Sequence, residues 1–147
     1  MQNAPFVNWL VVEKLQQAIT DFNDLLTIEK DALSHQKIDD IIQVAEQKNA
    51  SVEKINTLVA ELYPFSFDDI RHAANTSNQL ILINNVLTLS EQAAQHNERN
   101  QVLLATLYKL NSQLLNQLNQ HQTMPFQGYS QTGLPKSNNA NRSLGKA

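Results

Sequence analysis

The chain has no cysteine, which excludes a disulfide framework, a thiolate nucleophile and a cysteine-based zinc site. It has three glycines in 147 residues, and all of them (Gly128, Gly133 and Gly145) stand near the C-terminal end. No phosphate-cradling loop, dinucleotide fingerprint or nucleophile turn can be assembled from so few. Proline and aromatic residues are also scarce, with four prolines and 6% aromatics. An all-β or α/β fold, which needs many turns, is therefore disfavoured. No apolar run approaches the roughly 18 residues of a membrane span. Met1-Gln2-Asn3-Ala4-Pro5 lacks the basic n-region of a signal peptide, so the expected location is the cytoplasm.

Basic clusters are missing as well. The net charge is −3, but the stretch after Gln122 has no Asp or Glu and carries Lys136, Arg142 and Lys146. The tail is thus basic and the body distinctly acidic, a poor platform for nucleic acid, whose phosphates need clustered Lys and Arg. The four histidines, His35, His72, His96 and His121, are scattered, without the partners of a metal site built on bundle helices. Asp39-Asp40 and Asp68-Asp69 sit where helices should begin, so capping explains them better than acid–base chemistry. No constellation nominates an enzyme, a metal or a cofactor.

What is present is helical. The length suits one domain, and Leu, Ile, Val and Ala supply the apolar residues. Asn and Gln make up roughly a fifth of the chain, which reads as uncharged, solvent-facing helix surface. From Pro5 to His35, Val12, Leu15, Ile19, Phe22, Leu26, Glu29 and Leu33 repeat with 3-4 spacing, a heptad seam. Val11, Ala18, Leu25 and Ala32 widen it into a stripe able to touch two neighbouring helices. Pro5 fits a first helical turn. A second seam, Ile38, Ile41, Ala45, Lys48, Val52, Ile55, Val59 and Leu62, spans Lys37–Leu62 and should fold back on the first as a hairpin. Each seam holds one charge, Glu29 or Lys48, at a similar distance from the turn. The two either pair and fix the register or extend out of the seam to water.

Tyr63-Pro64 ends the second helix, and Ser66 with Asp69 marks the start of a short one. Phe65, Phe67 and Ile70 could close the lower end of the molecule, and Asn75–Asn78 is a weak point. A third long helix is expected over Gln79–His121, with Ile83, Val86, Ser90, Ala93, Asn97, Asn100, Leu104, Leu107, Asn111, Leu114 and Leu118 as its seam. Its middle, Gln95 to Asn100, is polar where the core should be, a girdle that can fix register, mark a kink or meet a partner. The expectation is an all-α antiparallel bundle or coiled coil of three long helices and a short connecting helix, residues 1–122. Residues 123–147 lack periodicity and should form a disordered tail.

At about 1.5 Å per residue the first helix would be roughly 45 Å long and the third about 65 Å. The third helix should then draw level with the first turn near Leu104 and outrun its partners. Burial of each leucine in that overhang stabilises by ~1.5–3 kcal/mol, so water is a poor final environment for them. A homodimer, a fold-back near Asn97–Asn100 or a client peptide would each cover them.

Leu25-Leu26, Glu29 and Leu33, then Ile41, Lys48, Val52, Ile55 and Leu58, make a pattern that resembles the FlgN family of flagellar type III export chaperones. Asn97-Glu98-Arg99-Asn100 followed by Leu103-Leu104, the late Tyr129-Ser130-Gln131-Thr132-Gly133 and the terminal Arg142–Ala147 are similar to it too. Ser130 departs from the glycine that many members carry after the tyrosine. The resemblance implies a chaperone for the C-terminal helical segments of the hook–filament junction proteins FlgK and FlgL. Such a chaperone prevents premature assembly and delivers its clients to the export apparatus. It implies a client surface on Asn97, Asn100, Leu103, Leu104, Leu107, Leu110, Leu114, Leu115 and Leu118. Tyr129 would be an export-gate contact, or else a tail tyrosine with no role. A structural coiled-coil oligomer, with the third helix as its self-association seam, is the alternative.

Overall fold

The structure, a computed structural model, describes residues 5–110. Four helices follow one another: α1 (Trp9–Ser34), α2 (Ile38–Glu61), α3 (Phe67–Ala73) and α4 (Ser77–Leu110). Among the described residues there is no strand, and no helix is long and apolar enough to cross a membrane.

Each boundary has a local cause. α1 begins at Trp9, not Pro5, because the Asn8 side-chain oxygen accepts from the backbone N–H groups of Leu10 and Val11 at 3.2 and 3.4 Å. Asn is among the best residues for satisfying those otherwise orphaned donors, and Pro5 lies ahead of the helix. α1 ends where Gln36 takes a left-handed φ of 53°. The N–H of Lys37 then reaches the Ala32 carbonyl, and that of Gln36 reaches Leu33. This double closure usually carries glycine at the left-handed position, and here glutamine fills it. Only His35–Lys37 separate α1 from α2, so the two form a tight hairpin. Asp39 and Asp40 stand in the first turn of α2, at the positive end of its dipole.

The chain leaves α2 through Leu62 and a cis Tyr63–Pro64 bond. Ser66 and Asp69 then close a reciprocal capping box on α3, with bonds of 2.9 and 3.1 Å. Donation from the Ser66 backbone and hydroxyl holds the Asp69 carboxyl below its usual range. The expected weak point appears as a break at residues 74–76, after which the Thr76 hydroxyl accepts from Gln79 N–H at 3.1 Å and starts α4.

α1 is the central element. It packs along both α2 and α4, whose backbones approach each other far less, and α3 rests on α4. The wide stripe on α1 is what permits two neighbours. Val12, Leu15, Ile19 and Leu26 are wholly buried and Phe22 nearly so, together with Ile55 of α2, Ile70 of α3, and Ile83, Val86 and Ala93 of α4. α4 runs in the same direction as α1: the Asn23 amide donates to the Leu89 carbonyl, and the Asn100 amide to that of Leu26.

Candidate functional site

Of the polar girdle on α4, Asn97 and Asn100 face inward, while Gln95, Glu98 and Arg99 are exposed. Among the described residues, four polar or charged side chains are buried, Glu29, Lys48, Ser90 and Asn100, and all but Ser90 meet in one layer with Asn97. The Lys48 ammonium donates to both oxygens of Glu29 at 2.9 and 3.0 Å and to the Asn97 side-chain oxygen at 2.8 Å. The Asn100 amide donates to Glu29 and to the Leu26 carbonyl, each at 2.9 Å. All three ammonium protons have acceptors, the condition under which a buried charge is tolerated. Burial still pushes the Lys48 pKa below its ordinary value, against the pull of the Glu29 charge and hydrogen bond. The Phe22 ring lies beneath the ammonium, 6.0 Å from it. Of the two readings of Glu29 and Lys48, pairing holds. The lysine has no path to water, being 1% exposed.

Above this layer a second apolar cluster forms at the hairpin end. Ala32 and Leu33 of α1, Ile41 of α2 and Leu107 of α4 are buried there, with Ile38, Leu103 and Leu104 partly buried against them. Leu107, expected in the overhang, is thus covered by the hairpin. α4 meets the hairpin end through Leu107.

The expected client surface therefore divides. Asn97, Asn100 and Leu107 are committed inside the molecule, and Leu103 and Leu104 are half-covered by the hairpin. α4 is continuous through Asn97–Asn100, because their amides bond to the hairpin and leave the helix ladder intact. Of Leu110 only the backbone is described, and Leu114, Leu115, Leu118 and Tyr129 lie outside the described residues. The outer face of upper α4 shows Glu98, Arg99, Gln101, Ala105, Thr106 and Lys109, with Val102 as a large exposed apolar residue among those described.

His96 flanks the polar layer. Partial burial, and then the charges of Lys30 and Arg99, lower its pKa from the ordinary 6.5, with Glu29 opposing and Lys48 adding to the shift. A depressed histidine stays neutral in the folded state while the unfolded chain takes up the proton. Stability then falls as pH drops from about 6.5 through the folded value. His96→Gln should flatten that part of the acid limb in urea titrations between pH 7 and pH 5. An unchanged limb would rule out His96 as its source.

The layer was visible in the sequence only as separate hints: one charge in each of two seams, and two asparagines in a third. The signal that joins them is that polar residues interrupt all three seams at one level. Among the described residues no group of His, Cys, Asp or Glu could hold a metal ion. No family model matches the sequence, and no curated protein and no solved structure is significantly similar to it.

Proposed function

We propose that the chain is a protein-binding chaperone. Its three long helices, as an antiparallel bundle, would form the scaffold, and the leucines that follow α4 in sequence would hold an amphipathic helix of a client. The observation that carries this reading is where the hairpin ends. Leu107 already packs beside Ala32, Leu33 and Ile41, which flank the turn, so the chain meets the hairpin end before Leu114, Leu115 and Leu118 in sequence. Leucines at the spacing of Leu114, Leu115 and Leu118 suit helix-in-groove recognition. The sequence resemblance to the FlgN family supplies the client class: C-terminal helical segments of the junction proteins FlgK and FlgL, carried to the export apparatus, with Tyr129 as the gate contact.

The test separates these leucines from the packed ones. Replacing Leu114, Leu115 and Leu118 by serine should weaken binding of such a client segment by at least about a hundredfold in calorimetry. The urea midpoint should stay near that of the wild type. Unchanged client affinity in the triple variant sinks the reading. If sedimentation instead shows a dimer that the same triple variant dissolves, the leucines form a self-association seam.

A further inference from the structure

Glu29, Lys48, Asn97 and Asn100 separate two apolar clusters of unequal size. Below the layer, α4 is anchored by Ile83, Val86 and Ala93, all fully buried in the larger cluster. Above it, among the described side chains of α4, Leu107 is buried and Leu103 and Leu104 are half-covered. Among the described residues, lower α4 thus buries more apolar side chains than upper α4 does.

The charges in the layer are distributed just as unevenly. Both belong to the hairpin, Glu29 on α1 and Lys48 on α2, while α4 supplies only neutral amides. Lifting upper α4 away leaves the ion pair closed within the hairpin. A charged residue on α4 would have left an uncompensated ion behind, which is strongly destabilising. A neutral amide that moves into water regains its hydrogen bonds there.

We propose that α4 beyond Ala93 is a latch that opens from the hairpin as one unit. It hinges just below the polar layer, between Ala93 and Asn97, while lower α4 and the paired hairpin stay folded. Opening bares Ala32, Leu33 and Ile41 on the hairpin and Leu103, Leu104 and Leu107 on α4. A helical client of the kind proposed above would compete with the latch for these strips, but the opening itself does not rest on that reading.

Amide hydrogen exchange on the full chain, with no partner added, tests it. Amides of 98–107 should exchange at least about tenfold faster than those of 81–92, with a denaturant dependence weaker than that of global unfolding but not absent, as for a sub-global opening that exposes apolar surface. The change should come as a step at the polar layer. Asn100→Ala should speed exchange in 98–107 by about tenfold and leave 81–92 and the hairpin unchanged. Lys48→Met, in contrast, should speed exchange in the hairpin. Equal protection along α4, a smooth decline towards residue 107 that marks simple fraying, or an Asn100→Ala effect spread equally over the hairpin would each overturn the proposal. The wild-type profile alone decides between the first two and a step, so the test survives a variant that fails to fold.

Discussion

Lys48→Met should remove about 3–5 kcal/mol of folding stability, the usual consequence of stripping one partner from a buried ion pair. Methionine fills a similar volume, so packing is not what is lost. The loss comes from the Glu29 carboxylate, 5% exposed, which is left with a single amide donor from Asn100. Adding Glu29→Leu should recover most of the deficit, because the double variant holds no buried charge. Asn100 keeps its bond to the Leu26 carbonyl, and Asn97, half-buried, can turn to water. Urea unfolding followed by circular dichroism measures both steps. A Lys48→Met midpoint close to wild type, or a double variant no better than the single one, would show that the pair is not held in the buried geometry described.

The second large effect is expected at Phe22, among the largest side chains that are fully buried. Phe22→Ala should cost about 3–5 kcal/mol through lost transfer energy and the cavity left behind. Phe22→Leu preserves most of the volume and should cost about 1–2 kcal/mol. The ring also sits 6.0 Å beneath the Lys48 ammonium, so part of the loss should depend on that charge. Repeating Phe22→Leu in the Glu29→Leu/Lys48→Met background should give a loss smaller by roughly 0.5–1 kcal/mol, the share of a cation–π contact. Equal losses in the two backgrounds would reduce Phe22 to packing alone.

Several elements were legible because they depend on neighbours in sequence. The 3-4 spacing from Val12 to Leu33 gave the buried face of α1, and Ser66 with Asp69 gave the start of α3. The similar distance of Glu29 and Lys48 from the turn made their pairing one of two readings. What failed depends on axial placement. Periodicity tells which face of a helix is buried but not how far one helix slides along another. The offset that sets Leu107 at the hairpin turn could not be read from α4 itself. Asn8 was a quieter error: its side chain starts α1, while Pro5 carried the more obvious start signal.

The polar girdle shows the same limit in another form. Asn97 and Asn100 were recognisable as polar residues at core positions, but their acceptors lie on other helices. The Leu26 carbonyl, to which Asn100 donates, is a backbone atom and leaves no trace in a side-chain pattern. An inward asparagine and one reserved for a client therefore look alike in sequence.

The sequence separations of these contacts also order events in time. Glu29 and Lys48 are 19 positions apart, whereas Asn100 reaches back 74 positions to Leu26 and 71 to Glu29. Closing the longer loop carries the greater entropic penalty, and contacts of that span form late. During synthesis both members of the ion pair leave the ribosome before α4 does, and the strip that α4 will cover stays bare until the second half of the chain arrives. Phe22 and Ile55 are thus at their most vulnerable to association with other nascent chains in that interval. Glu29 finds its counter-ion at once, and α4 comes last as the cover of a preformed hairpin.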